Sequence, residues 1–110
     1  MAGKFVLKRS GEQFMFNLLA AGNGEVILTS ERYTRKESAL AGIKAVQRHA
    51  ALDAQYQARA SLHGQPYFVL RSPNHEVLGT SEMYGCISAR NTGVNAVKTN
   101  APGALVDDLT

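Results

Sequence analysis

Apolar and polar positions alternate with a period of two near the start of the chain. Phe14, Phe16 and Leu18 interleave with Met15, Asn17 and Leu19, the pattern of a strand with one face turned to a core. Lys4-Phe5-Val6-Leu7-Lys8-Arg9 reads as a preceding strand, closed by the turn residues Ser10-Gly11-Glu12-Gln13. After Asn23-Gly24, the run Glu25-Val26-Ile27-Leu28-Thr29 returns. An Asn-Gly pair tolerates the positive φ that a type I′ turn requires at both central positions, so it predicts a tight hairpin. The period then changes. Ala39, Ile43, Val46 and Ala50 fall on one helical face. Thr34 and Glu37 have the form of a capping box, which predicts a helix from Arg35. The unit is a three-stranded meander followed by a helix.

The unit then recurs. Asn23-Gly24-Glu25-Val26 and Ser30-Glu31-Arg32-Tyr33 return as Asn74-His75-Glu76-Val77 and Ser81-Glu82-Met83-Tyr84, 51 residues on. Gly42, Ala45, Val46 and Ala50 return as Gly93, Ala96, Val97 and Ala101. Extended back without a gap, the same offset sets Phe5 against Tyr56, Lys8 against Arg59 and Ser10 against Ser61. The second copy has strands at Tyr56 to Ala60, Tyr67 to Leu70 and Glu76 to Leu78. His75 replaces the hairpin glycine and is among the residues that accept left-handed geometry. Pro102-Gly103 ends the second helix, and Ala104-Leu105-Val106 has room for one more short strand closed by Asp107-Asp108. Residues 1–110 form one domain of two repeats, about 4–53 and 54–108. A mid-helix glycine costs about 0.5–1 kcal/mol relative to alanine. Two at equivalent positions, Gly42 and Gly93, therefore predict a close approach of helix to sheet or to its twin.

The motifs carry a family likeness. Phe16-Asn17-Leu18, Asn23-Gly24-Glu25-Val26-Ile27, Ser30-Glu31-Arg32-Tyr33 and Gly42-Ile43-Lys44-Ala45-Val46 resemble the YegP-like family of uncharacterised bacterial proteins. The second copy does so through Tyr67-Phe68-Val69, Asn74-His75-Glu76-Val77-Leu78, Ser81-Glu82-Met83-Tyr84 and Gly93-Val94-Asn95-Ala96-Val97. The resemblance implies an α+β fold. Its duplicated β3-α units form one antiparallel sheet, two helices cover one face, and a strand after each helix crosses to the other half. It carries no assigned activity, cofactor or catalytic residue. The second copy departs from the pattern at Val69, His75 and Gly79, which stands where the first copy has Leu28.

Composition narrows the function classes. An apolar fraction of 45% and a charged fraction of 19% are those of a soluble globular chain. No apolar run approaches the ~20 residues of a membrane span, and Met1-Ala2-Gly3-Lys4-Phe5 lacks a signal-peptide layout. The single cysteine, Cys86, leaves no internal disulfide framework. Together these point to the cytoplasm, with no membrane association.

Candidate chemistry is sparse. Ser30, Glu31 and Tyr33, with Ser81, Glu82 and Tyr84, form two related candidate binding elements between strand and helix. In the structural reading the Ser or Glu satisfies backbone N–H groups at the helix entrance and the Tyr ring lies beneath the helix. With both helices on one face, the other face is open. If Tyr67 and Val69 point inward there, Met15, Leu19, Phe68 and Leu70 form an apolar interface patch for a protein partner or a second copy. Arg32, Arg35, Lys36, Lys44 and Arg48 cluster around the first helix, with Lys8-Arg9 nearby. They offer a weaker route to nucleic acid, and the net charge of +3 permits it without requiring it. His49, His63 and His75 lack metal spacing, and Cys86 has no cysteine partner for zinc. Cys86 is expected to be a small buried or half-buried residue. No catalytic set, metal or cofactor is expected. The chain reads best as a small non-enzymatic binding or protein-interaction module, with a nucleic-acid-associated protein as the alternative.

Overall fold

The computed structural model describes residues 2–110. Three strands open the chain: β1 (Lys4–Ser10), β2 (Gln13–Leu19) and β3 (Val26–Thr29). Helix α1 (Lys36–His49) and a short 3₁₀ turn (Asp53–Gln55) lead into β4 (Tyr56–Ala60). Strands β5 (Pro66–Arg71) and β6 (Val77–Thr80) precede α2 (Ile87–Asn100), and β7 (Leu105–Asp108) ends the fold. All seven strands form one sheet in the order β4-β5-β6-β3-β2-β1-β7. It is antiparallel from β4 to β1, and β7 joins β1 in parallel. The halves meet where Thr29 of β3 opposes Thr80 of β6.

Both helices lie on one face and share one core. Phe5, Leu7, Phe16, Leu18, Phe68 and Leu70 meet Ala39, Ile43, Val46 and Val97 there. Helix α1 rests on β2 and on β6 of the other half, and α2 rests on β5 and on β3. No helix among the described residues is long and apolar enough to cross a membrane.

The face assignment of β5 is corrected. Phe68 and Leu70 are 1% and 0% exposed and belong to the core. The partners of Phe68 show why. Phe16 meets Phe5 edge-on at 5.8 Å, and Phe68 meets Tyr56 edge-on at 5.7 Å. Phe16 stacks on Tyr33, and Phe68 stacks on Tyr84, each at 6.4 Å. The counterpart of Phe16 is therefore Phe68, one residue beyond the ungapped match. The first turn of the second copy, Ser61 to Gln65, is one residue longer than Ser10 to Gln13. The next hairpin loop is one residue shorter and restores the offset. Side chains alternate along a strand, so this single slip turns every β5 residue to the opposite face. Burying a phenylalanine side chain is worth about 1.5–3 kcal/mol, which fixes the register that buries Phe68. The helix-free face keeps half-buried Met15, Leu19 and Tyr67, with Val69 1% exposed. Near its centre Asn17 Nδ2 donates to Thr29 Oγ1 at 2.9 Å. The four-residue apolar patch is not formed.

Three local expectations also change. The capping box is absent: α1 has Arg35 at its N-cap with no side-chain cap, so Thr34 lies one residue too early. The β2–β3 loop is longer than a type I′ turn. Its positive-φ residues are Gly22 and Gly24, while Asn23 accepts the Glu25 N–H at 3.0 Å. Cys86 is exposed at the start of α2 rather than buried or half-buried. His75 does take the left-handed conformation, with φ 71°.

Gly79 follows from the line where the halves meet. A Cβ there would lie 2.6 Å from Leu28 Cγ. One large side chain fits beside the Thr29–Thr80 bridge, and Leu28 supplies it. Gly79→Leu is expected to lower stability by about 1–3 kcal/mol, the usual range for overpacking. Adding Leu28→Gly should return part of the loss in urea denaturation. At the sheet edge Asp108 of β7 bonds Lys36 at 2.7 Å. That bond, with help from Thr110, lowers its carboxyl from 3.8 to about 2. A depressed folded value stabilises above the unfolded one and is lost as pH falls through the folded one. The Asp108 carboxyl should therefore titrate near pH 2 by NMR. Lys36→Met should raise its midpoint toward 3.8, fray β7 already at neutral pH, and make that fraying less dependent on acidification.

Candidate functional site

The two Ser-Glu-x-Tyr elements begin as sheet repairs. Where β3 leaves the sheet toward α1, Phe16 would lose the partner of its N–H. Ser30 Oγ accepts that N–H at 2.9 Å and donates onward to the Glu31 carbonyl at 2.7 Å. Ser81 repeats the arrangement: it accepts the Phe68 N–H at 3.0 Å and donates to the Glu82 carbonyl at 2.8 Å. A buried N–H left unpaired would cost about 1–3 kcal/mol, which explains a hydroxyl at this point in both copies. These serines serve the sheet, not the helix entrance. Glu31 and Glu82 are exposed, and neither side chain makes a hydrogen bond among the described residues.

The tyrosines are fixed by the sheet and aimed at the helices. Tyr33 and Phe14 exchange two backbone hydrogen bonds, both 2.7 Å. Tyr84 donates its N–H to Pro66 at 2.8 Å, and the proline has none to return. Each ring stacks on a core phenylalanine and ends against a helix glycine. A Cβ on Gly42 would lie 2.6 Å from the Tyr33 phenol oxygen, and one on Gly93 would collide with that of Tyr84. The paired glycines thus admit a phenol, which answers the close approach expected of them.

Each tyrosine forms one wall of a groove whose other wall belongs to the opposite half. Tyr33, Ser38 and Gly42 face Asn74, Glu76 and Leu78 across a groove of about 500 Å³. Tyr84, Ala89 and Gly93 face Asn23, Glu25 and Ile27 across one of about 480 Å³. The sequence motifs supplied the tyrosine walls. The hairpin walls were missed because Asn-x-Glu was read only as turn chemistry, although it recurs at the same offset as the tyrosines. Burial raises both phenols above the usual value. The carboxylates of Glu31 and Glu76 add to this at Tyr33, as do Glu82 and Glu25 at Tyr84. Each groove is a locally negative place on a chain of net charge +3.

The sequence profile of a domain of unknown function, DUF1508, matches the chain twice, at residues 10–57 and 63–108. A UPF0339 protein of Bordetella pertussis is 54% identical over 110 residues, covering all of this chain and 98% of the relative. The UPF0339 protein YegP of Escherichia coli K12 is 43% identical over 111 residues, with both chains fully covered. The chain belongs to the UPF0339 family. The solution structure of a UPF0339 protein from Shewanella oneidensis matches with a TM-score of 0.92 at 43% identity, covering this chain fully and 93% of that one. The solution structure of E. coli YegP gives 0.93, also at 43% identity, covering 95% of that chain. The family is one of unknown function. Each UPF0339 repeat, as the profile frames it, carries one tyrosine wall and one hairpin wall, so neither groove exists in a single repeat.

The remaining candidates disperse. Arg32 Nε donates to Ser10 Oγ at 2.8 Å, Arg35 lies 3.7 Å from Glu37, and Lys36 holds Asp108. Lys44 and Arg48 are exposed on α1. Among the described residues no cluster of three or more His, Cys, Asp or Glu is placed to hold a metal ion. Gly42→Ala should lower stability by about 1–2 kcal/mol, because overpacking against Tyr33 outweighs the helix propensity gained. Adding Tyr33→Phe removes the nearest colliding atom. Thermal unfolding should then show the double variant more stable than Gly42→Ala alone.

Proposed function

We propose that this protein is a small non-enzymatic binding module of the cytoplasm. Each of its two grooves takes a group with an apolar stem and a positively charged end, such as a basic side chain on a protein partner. The observation that carries this reading is the duplication of the whole groove: a phenol, a glycine floor, an asparagine and a glutamate, assembled twice from opposite halves. An aromatic ring and a carboxylate over an apolar floor suit an amine, through cation–π attraction and charge pairing. Both are modest at a solvent-open site, so a single groove binds weakly and the pair gains by acting together on one partner.

The alternative, nucleic acid held by the basic residues around α1, has Lys44 and Arg48 in its favour. It has the engagement of Arg32, Arg35 and Lys36 against it. Titration of the labelled protein with N-acetyl-lysine amide should move the Gly42 and Gly93 amide resonances saturably. The neutral N-acetyl-norleucine amide should move them less. Glu76→Gln should weaken the Gly42 groove about threefold, the size of an exposed charge pair, and leave the Gly93 groove unchanged. Equal response to both ligands sinks the reading. Salt-sensitive oligonucleotide binding that is lost on changing Lys44 and Arg48 to Glu would replace it.

A further inference from the structure

Strands β1 and β4 are counterparts. Each pairs antiparallel with the central strand of its half, and Phe5 and Tyr56 meet Phe16 and Phe68 in the same edge-on way. Their outer edges differ. On β1 the edge is taken by β7, with Phe5 beside Val106 and Leu7 beside Asp108. On β4 it is unpaired.

The vacant edge presents the same peptide groups. Phe16 directs its N–H and C=O to Ser30. Leu7 opposite it therefore turns its own peptide groups outward, and its carbonyl accepts the Leu109 N–H at 2.8 Å. Phe68 likewise directs both groups to Ser81. Ala58, opposite Phe68, turns its N–H and C=O away from β5 into solvent. Leu7 is buried under its neighbours, whereas Ala58 and Ala60 are exposed.

The strand is also held in place without an outer partner. Tyr56 donates its phenol to the Ala50 carbonyl at 2.6 Å, and Gln55 Nε2 donates to the Arg71 carbonyl at 2.9 Å. Lys98 pairs with Asp53 at the strand's approach.

The chemistry along the two edges differs. Acidic β7 is matched by Lys4 with Asp107 at 3.7 Å and by Lys36 with Asp108 at 2.7 Å. The counterparts of these lysines are Gln55, already turned to β5, and Ile87, which opens α2 as Lys36 opens α1. Ile87 is 59% exposed, and Leu52 before the strand is 51% exposed. We propose that the outer edge of β4 docks an extended, uncharged peptide segment of another protein. It adds parallel to β4 as β7 adds to β1, with an apolar side chain against Ile87 where β7 has Asp108. Main-chain hydrogen bonds supply attachment in such strand addition, and alternate side chains supply selectivity. The site lies apart from the grooves and stands without them.

The probe is a synthetic peptide of this chain's residues 103–110 carrying Asp107→Gln and Asp108→Val, titrated into the labelled full chain. It should shift the Ala58 and Ala60 amides saturably and slow exchange of the Ala58 amide. The unchanged acidic peptide should bind about tenfold more weakly, about threefold for each of its two carboxylates left without a partner. Ala58→Pro removes only an outward N–H, so the fold should persist while binding is lost. Ile87→Lys should reverse the preference toward the acidic peptide. Three outcomes overturn the proposal: equal affinity for the two peptides, shifts confined to β1 and β7, or no response at Ala58. Concentration-dependent shifts at Ala58 without peptide would assign the edge to a second copy instead.

Discussion

The short junction between β3 and β6 governs everything else in this molecule. At the centre of the sheet the halves join only where Thr29 opposes Thr80, and β7 of the second half adds a four-residue pairing with β1 at the edge, so little backbone pairing holds the centre. The helices supply the rest, since each rests partly on the third strand of the opposite half. Neither half has a complete core alone, and a unit of about 50 residues buries too small a fraction of its surface to be secure. Burial of one contiguous core therefore fixes the angle between the halves, and that angle sets hairpin against tyrosine in both grooves. The same constraint explains the one place where the repeat must break. Two equivalent side chains beside an approximate twofold compete for the same volume, and Leu28 with Gly79 settles the competition.

Most of the architecture was legible because several signals agreed at each element. The strand alternation of β2, the helical spacing of Ala39, Ile43, Val46 and Ala50, and the recurrence of both in a second copy required the same units. The orientation of β5 was not legible, and the reason is specific. A longer first turn and a shorter second loop cancel, so residues on either side of β5 keep the 51-residue spacing while β5 itself is displaced by one. A strand tolerates no such displacement without exchanging its faces. The run Phe68-Val69-Leu70 hides the error, because it is apolar at successive positions and buried throughout. The edge-on and stacked aromatic partners decide it, and they lie in other strands.

The tyrosine elements show a related limit. Their recurrence was visible, and so was the recurrence of the mid-helix glycines, but not that one explains the other. A phenol standing on a stacked phenylalanine needs the space of a missing Cβ. Tyr33 with Gly42 is therefore one packing unit divided between a loop and a helix. The glutamates have the opposite character. Glu31 and Glu82 are exposed beside the tyrosines, and Glu25 and Glu76 reach the grooves from across the twofold. Four carboxylates around two phenols oppose the charge of the chain as a whole, and sheet packing gives no reason for that arrangement.

The repeat boundaries drawn by the family profile account for the asymmetry of the sheet edges. In that frame the first unit runs from β2 into the start of β4, ending at Gln57, and the second runs from β5 through β7. The last strand of the first unit, β4, crosses to pair with β5 of the second. A closed twofold would send β7 back to β2 in the same way. That place is taken by β1, which the profile leaves almost entirely outside the first repeat, and β7 is pushed one strand outward onto β1. The displaced strand has small contact with the core, and all four of its residues are exposed. Its acids with Lys4 and Lys36 then become the side-chain features that hold it. A strand with nothing added beyond it, β4, has no need of such charges and carries none of them in equivalent positions. The difference between Lys36 and Ile87 thus follows the placement of β7: a lysine stands where the acidic strand lies alongside, and an exposed apolar residue where no strand does.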